Sequence, residues 1–274
     1  MTALPPGAVT LAEELTRYAL DLLGTVRGPF PDAEIDTKSH PADPVTAVDR
    51  AVEAHVRRRI TEEFPDHRVH GEESDPTGPA GARHVWWVDP VDGTTNFAHG
   101  IGWYSFSLAL TVDGAPVLGI VADPTRGEVH QAVAGSPATV NGRPTRVSPS
   151  SGLTGTVVLT EWLAHAPWEG MDRLLSGLAD THCTARIMGS SALSLVQVAA
   201  GRAAAAVIGQ YSAVDDLAGA YIAARAGAHV LSADGTLTPA HGGIAVTAPG
   251  VSDHLRDLLP RWARRDDRTD PDGD

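Results

Sequence analysis

Asp89 and Asp92 stand three residues apart in the stretch Trp86–Phe97, which reads WWVDPVDGTTNF. The apolar run His84–Val88 predicts a buried strand that delivers Asp89 at its end. Pro90 and the pair Asp92-Gly93 then predict a turn, and Thr94, Thr95 and Asn96 are residue types that cap a helix start. Carboxylate oxygens on a rigid turn suit a hard cation such as Mg²⁺. Outward-pointing amides at a helix start suit a phosphate. Together they could do magnesium-assisted phosphate chemistry. An ordinary acidic turn would read the same on this segment alone, so the rest of the chain has to decide.

Three further acidic islands stand at the ends of expected elements: Asp49, Glu72-Glu73 and Asp215-Asp216. Any one of them alone reads as a solvated surface acid. Gathered at strand and helix termini, they make the oxygen-only ligand set of a two-metal phosphoryl site. A His ligand at His70 is not required by such a site, and no nucleophile elbow, dinucleotide fingerprint or P-loop is present.

The elements that must position these acids follow from periodicity. Thr10 with Glu13 reads as a capping box, and Leu11, Leu15, Tyr18, Leu22 and Val26 predict an amphipathic helix over 11–26. Residues 28–44, rich in Pro and Asp, predict a long mobile loop that holds Lys38 and Asp43. A second helix is expected from near Thr46 to Glu63, with Asp49 in its first turn, where the helix dipole favours a carboxylate. Arg68–His70 predicts a short strand leading into Gly71-Glu72-Glu73. Beyond the central motif, 104–112, 116–122, 128–134 and 143–147 read as meandering strands with Asp113-Gly114 and Asn141-Gly142 turns. From about residue 148 strands and helices alternate: strands at 156–160, 185–188, 203–208, 229–231 and 243–248, helices at 168–178, 190–200, 214–226 and 251–263. The expected fold class is therefore α/β, with an α+β lobe over 1–147, an α/β lobe over 148–265 and an acidic tail over 266–274.

Composition bounds the function. The hydrophobic fraction of 42% over 274 residues supports a real core, and the net charge of −13 disfavours nucleic acid as a partner. Five Asp and one Arg make up most of the tail from Asp266 to Asp274. Lys38 is the only Lys, and the single Cys183 excludes an internal disulfide. No signal peptide and no membrane span is legible, which leads to the expectation of a cytoplasmic protein.

WWVDPVDGTTNF is similar to the signature of the inositol monophosphatase family. Further blocks match in order: KSHPADPVTAVD at Lys38–Asp49, GEES at Gly71–Ser74, MGSSALSLVQVAAGR at Met188–Arg202 and VDDLAGAYIAARAGA at Val214–Ala228. The resemblance covers roughly residues 10–262 and implies a layered αβαβα sandwich with the site between two lobes. It implies a homodimer and two or three Mg²⁺ ions. Glu72, Asp89 and the Val91 carbonyl would hold the first ion, and Asp89, Asp92 and Asp215 the second. Glu73 and Asp43 would stand near a third, in a mobile loop with Lys38. Asp49 and Thr94 would activate the attacking water, Glu72 would share in catalysis, and the amides of Gly93 and Thr94 would hold the phosphate. Counting back from Ala218-Gly219 puts the metal ligand on Asp215. Asp216 competes for the role, and the discriminator is which carboxylate faces Asp92.

The implied activity is hydrolysis of a phosphate monoester on a small polyol, sugar or amino alcohol, inositol phosphate and histidinol phosphate being the leading substrates. The alternatives are a specialised biosynthetic or nucleotide phosphatase, the latter acting on adenosine 3′,5′-bisphosphate or a nucleoside monophosphate, and a regulatory relative that binds metal and phosphate without turnover. Ser190, Glu161, Arg186 and Ile208 are the candidate substrate contacts; Trp168 could contact substrate or simply pack. Ile208 stands where the family carries a Glu, and an apolar side chain cannot accept a hydroxyl hydrogen bond. Gly102-Trp103-Tyr104 and Arg225 also depart from the family pattern, without touching the metal set.

Overall fold

The computed structural model describes residues 4–25, 29–30, 35–37, 44–162, 166–238 and 242–260. Lys38, Asp43 and the acidic tail lie outside the described residues.

The first helix, α1 (Ala8–Thr25), begins two residues before Thr10, so the expected Thr10–Glu13 capping box does not form. The turn Pro5-Pro6-Gly7 starts the helix instead, with the Ala8 and Leu11 amides bonded to the Pro5 and Gly7 carbonyls. The capping box appears on α2 (Ala47–Glu63): Thr46 caps the helix, and Asp49 at its third position bonds back to Thr46. Within the expected loop, β1 (Ile35–Thr37) pairs antiparallel with β2 (Pro44–Thr46), which leads directly into that cap.

Seven strands form the larger sheet: β3 (Arg68–Gly71), β4 (His84–Asp92), β5 (Ser105–Val112), β6 (Ala115–Asp123), β7 (Glu128–Val133), β8 (Thr139–Val140) and β9 (Arg143–Pro144), neighbours in that order. Only β3 and β4 pair parallel; the rest is an antiparallel meander. After the short helix α3 (Thr94–Ala98) and this sheet come β10 (Val157–Thr160), α4 (Met171–Asp180), β11 (Thr184–Ile187), α5 (Ser191–Ala199), β12 (Ala205–Ile208), α6 (Ala213–Arg225), β13 (His229–Leu231), β14 (Ile244–Thr247) and α7 (Ser252–Arg256). The second sheet has the order β11-β10-β12-β14-β13, with β11, β10 and β12 parallel. The last helix is shorter than its apolar pattern predicts, because the 3₁₀ turn Pro249–Val251 takes its first residues and it stops at Arg256.

Three apolar clusters stack these elements into layers. Leu11, Leu15, Val52 and Val56 of α1 and α2 pack on Leu108, Leu110 and Ile120 of the large sheet. The opposite face, at Ala109 and Val121, meets Leu195, Leu217 and Ile222 of α5 and α6, whose other side covers Ala206, Ile208 and Val246 of the small sheet. Met171, Leu174 and Leu255 of α4 and α7 close the far side over Val158, Ala205 and Ala245. The result is the layered αβαβα sandwich. The middle helices are buried on nearly every side, which is why they are built from Ala, Gly, Leu and Val.

Candidate active site

The central motif departs from a plain strand-then-turn. Strand β4 runs on through Asp92, and its register against β5 slips once: Asp89 faces Ser107, whereas Asp92 faces Ser105. Three steps on β4 match two on β5, so one extra residue is inserted beside Pro90 as a β-bulge, the one place inside a sheet that tolerates Pro. The consequence is chemical. In a regular strand residues three apart point to opposite faces, whereas the bulge puts Asp89 and Asp92 on the same one. The turn follows at Gly93, whose φ is 94° and whose Cβ, if present, would lie 2.8 Å from the Gly189 carbonyl oxygen.

Asp92 is buried and roped to the start of α5. It accepts the Ser190 hydroxyl at 2.5 Å and the amides of Ala192 at 2.9 Å and Ser191 at 3.2 Å. Ser190 thus stands behind Asp92 as the cap of α5, bonding also the Leu193 amide, and does not line the cleft. Asp89, equally buried, accepts the Val91 amide at 2.9 Å. Burial pushes its carboxyl well above the usual range, and the charges of Glu72, Asp215 and Asp92 push further the same way. Asp89 also hydrogen-bonds the Glu72 carboxyl, a contact two ionised acids cannot make. Asp215 is raised by burial and then by Glu72, Asp216 and Asp92, and its Oδ1 is buried with no hydrogen-bond partner. Asp92 is pushed up to about 6, first by burial.

Both Asp215 and Asp216 feel Asp92, so that discriminator does not separate them. Glu72 does: it acts on Asp215, and Asp215 in turn acts on Asp89. Asp216 accepts the Ser212 amide at 2.8 Å and bonds the Ser191 hydroxyl, with its own Oδ1, like that of Asp215, lacking a hydrogen-bond partner. Glu72, Asp89, Asp92 and Asp215 therefore lie near enough for their charges to oppose one another, although among the described residues no three of them bring ligand atoms within 4.8 Å of one another. No Lys or Arg lines the cleft among the described residues. An orphaned Asp215 oxygen, an acid–acid contact and mutually raised carboxyls fit divalent cations, which would replace the protons that otherwise hold such a cluster together.

Asp49 is fully buried, its carboxyl raised by that burial. It accepts the Thr46 amide at 2.9 Å, the Thr46 hydroxyl, and the Thr94 hydroxyl at 3.1 Å. The Thr94 hydroxyl also lies 2.9 Å from the Val91 carbonyl, so one proton sits between two acceptors.

Two buried residues that the motif reading passed over hold Glu72 in place. Arg57 of α2 bonds the carbonyls of Ser74 at 2.7 Å and Asp75 at 3.0 Å and the Thr77 hydroxyl at 3.2 Å. Its partner Glu53, at 2.8 Å, accepts the Glu73 amide at 2.7 Å. The pair staples the Gly71–Thr77 turn to the helix that carries Asp49. Gly71 is required there, since a Cβ would lie 2.4 Å from the Glu53 carboxyl. The available signal was weak: a Glu and an Arg four apart on the apolar side of α2, next to Val52 and Val56. Asn96, expected as a capping residue, instead bridges the Trp103 and Met188 carbonyls at 2.8 and 2.7 Å and so joins α3 to the strand β11 side.

A cleft of about 480 Å³ opens over the acids, lined among others by Thr95, Glu161, Trp162, Ile187, Ile208 and Gln210. The Glu161 carboxyl turns inward to the amides of Gly189 at 2.5 Å and Met188 at 3.3 Å and to the Ser194 hydroxyl at 2.5 Å; burial pushes it up to about 8. Arg186 is exposed, donates to the Ala185 carbonyl at 2.8 Å and does not line the cleft. Trp168 packs: it is buried against Gly209 and bonds Thr160 at 3.3 Å.

A family model described as "Inositol monophosphatase family" matches residues 8–261. The inositol-1-monophosphatase SuhB of Mycobacterium tuberculosis is 34% identical over 257 residues, covering 88% of this chain and 87% of the relative. A histidinol-phosphatase of Chlorobaculum parvum is 39% identical over 155 residues, 56% of this chain and 57% of the relative. The crystal structure of the extragenic suppressor protein suhB of Bartonella henselae superposes with a TM-score of 0.84 at 26% identity, over 93% of this chain and 99% of that one. With residues 8–261 matched and the layered architecture shared, the chain belongs to the inositol monophosphatase family.

Proposed function

We propose that the protein is a Mg²⁺-dependent phosphomonoesterase that hydrolyses a small phosphorylated alcohol by attack of an activated water. The observation that carries this reading is the approach of the exposed Glu72 to Asp89, Asp92 and Asp215, three carboxyls raised by burial and by neighbouring acidic charge, with the Asp215 Oδ1 unpartnered. Glu72, Asp89 and the Val91 carbonyl would hold one ion, and Asp89, Asp92 and Asp215 a second. Bound there, Mg²⁺ supplies charge neutralisation at the ester and lowers the pKa of a coordinated water.

The chain's own groups supply the rest. Thr94 donates its hydroxyl proton to Asp49 Oδ1, 3.1 Å away, which leaves an oxygen lone pair to accept a proton from the attacking water. Asp49 is held for this by Thr46, so the relay costs no reorganisation. The amides of Gly93 and Thr94, at the start of α3, orient the phosphate. The α5 start fixes Asp92 through three bonds, and Arg57 with Glu53 fixes the turn that carries Glu72. A homodimer remains part of this reading through the family resemblance, and sedimentation velocity tests it. Among the described residues no helix is long and apolar enough to cross a membrane.

Phosphate release by the purified chain on a panel of monoesters, with Mg²⁺ and with EDTA, tests the reading. Turnover that requires Mg²⁺ and falls at least about 1000-fold in Asp215→Asn supports it; that is about 4 kcal/mol of transition-state stabilisation. Metal-independent turnover, or no turnover on any ester, refutes it.

A further inference from the structure

The cleft has two unlike walls. One is acidic, with Asp92 and Asp215. The other is apolar, with Trp162, Ile187, Met188 and Ile208. Large exposed apolar side chains are scarce on this molecule: among the described residues they are Ile101, Trp162 at 51% and Ile187 at 43%. Two of those three line this one cleft. A single exposed apolar residue requires no explanation, but a cluster at the mouth of a site does.

Topology shows why they meet. Strands β11, β10 and β12 lie side by side and parallel. Ile187 and Ile208 are the last residues of β11 and β12, and Trp162 follows Thr160, the last residue of β10, by two. Three carboxyl ends thus deliver three apolar side chains to one rim, at the edge where parallel sheets take their ligands. The carboxyl in this wall, Glu161, is engaged inward by the Gly189 amide and the Ser194 hydroxyl, so it does not offer its oxygens to hydroxyls of a substrate. Gln210 remains on the wall as a neutral hydrogen-bonding group.

We propose that this wall recognises the alcohol half of the substrate, and that the preferred alcohol carries a planar nitrogen-containing ring. The ring stacks on Trp162, is flanked by Ile187 and Ile208, and presents a polar edge to Gln210. A polyol would set its hydroxyls against Ile208 and Ile187, losing hydration without gaining partners. A planar ring gains both burial and stacking there. This proposal rests on the phosphatase reading of the same site and names the substrate class for it.

The test compares kcat/KM, at saturating Mg²⁺, for two kinds of ester. Histidinol phosphate and adenosine 5′-monophosphate carry rings; inositol 1-phosphate and glycerol 2-phosphate do not. The expected result is a preference of about tenfold or more for at least one ring ester, the size that stacking on an aromatic side chain contributes. Which ring ester leads separates a small heterocycle from a nucleoside. Trp162→Ala should reduce the ring-to-polyol ratio about tenfold, mainly through KM of the ring ester, and Trp162→Phe should restore most of it. Ile208→Glu should move the ratio further toward the polyols.

Equal or better use of polyols by the wild-type chain overturns the proposal, as does a Trp162→Ala variant that slows both kinds of ester alike. So does a Trp162→Ala variant that turns a dimer into a monomer in sedimentation, since a second copy would then cover the indole. Absence of turnover on every ester refutes the phosphatase reading instead. Titration calorimetry of histidinol phosphate and glycerol 2-phosphate then decides the ring preference: tighter ring binding lost in Trp162→Ala supports it, and equal binding overturns it.

Discussion

Strand β4 has a group of potential metal ligands near each end, and their surroundings differ in what they offer a cation. At its start, Asp66, His67 and His84 offer ligand atoms within 4.8 Å of one another. Roughly 16 Å further along, at about 3.3 Å per residue, stands Asp89, with Asp92 three residues beyond it. By residue type the first group is the more familiar transition-metal set. Its hydrogen bonding argues otherwise. The Trp86 indole N–H, a donor only, bonds the His67 Nδ1 at 2.9 Å, so the neutral ring keeps its proton on Nε2. A cation on Nε2 would have to displace that proton. His67 is also stacked on Phe64 at 4.4 Å and on His84 at 4.3 Å, a packing role. At the other end no proton donor satisfies Asp215 Oδ1, and the acids raise one another's pKa. Ligand identity alone does not define a metal site; the hydrogen bonds left over around the ligands do.

The sharpest break of this comparison is mutational. Asp89→Asn should lower Mg²⁺-dependent phosphate release by about 1000-fold or more, since it removes the acid shared between the two proposed ion positions. His84→Ala, at the other end of the same strand, should leave kcat/KM within about twofold. A loss beyond about 100-fold in His84→Ala would place chemistry where none is argued.

Next in size is the staple behind Glu72. Arg57→Met should raise the Mg²⁺ concentration for half-maximal activity by about 10- to 100-fold, the usual effect of removing a group that orients a ligand. It should also cost about 3–5 kcal/mol in urea unfolding, because Glu53 is left buried and unpaired. Pairing it with Glu53→Gln should recover part of that stability but not the metal affinity. Full recovery of both would show that Arg57 only balances charge.

His67→Phe keeps the stack on Phe64 and orphans the Trp86 N–H. It should cost about 1–3 kcal/mol of stability with no change in the Mg²⁺ dependence of activity.

The two ends should also answer pH with opposite signs. Asp92 and Asp216, raised to about 6 and about 7 from 3.8, bind protons in the folded state that the unfolded chain has already released. Their contribution is complete below about pH 4 and is lost as pH rises through 6 to 7. Glu161, raised to about 8 from 4.5, extends the same loss to higher pH. His67, lowered to about 4 from 6.5 by burial, works the other way: its share is present above 6.5 and lost as pH falls toward 4. In EDTA, Tm should therefore fall between pH 5 and 8. Mg²⁺ should flatten that alkaline limb and leave the acid limb unchanged, and Glu161→Gln should remove only its upper part. An alkaline limb insensitive to Mg²⁺ would separate the acids from the metal.

Much of this was open to reading from local pattern. Residues 47–63 and 191–199 fold as helices close to where their periodicity puts them, and Thr46 caps α2 with Asp49 as its third residue. The errors came where two local signals competed. Thr10 and Glu13 have the spacing of a capping box, but Pro5-Pro6-Gly7 starts the helix earlier and leaves Thr10 inside it. The Asp92-Gly93 pair reads as a turn after a strand ending at Val88, yet β4 continues to Asp92, because Ser105 and Ser107 of β5 are there to pair with it.

The sequence by itself determined the ligand types, their order along the chain and the family they resemble, because those depend only on which residues follow one another. Tertiary structure alone decided how they are arranged. The bulge at Pro90, fixed by pairing to β5, turned Asp89 and Asp92 to one face. Proximity to Glu72 separated Asp215 from Asp216, two neighbours of one residue type. A bond to Asp92 drew the Ser190 hydroxyl behind the cleft, bonds from Gly189 and Ser194 turned the Glu161 carboxyl inward on the cleft wall, and the alignment of three strand ends put Trp162, Ile187 and Ile208 on it. Each of these outcomes is a contact between segments tens of residues apart, set by packing across layers, and no local pattern encodes which distant partner a side chain will meet.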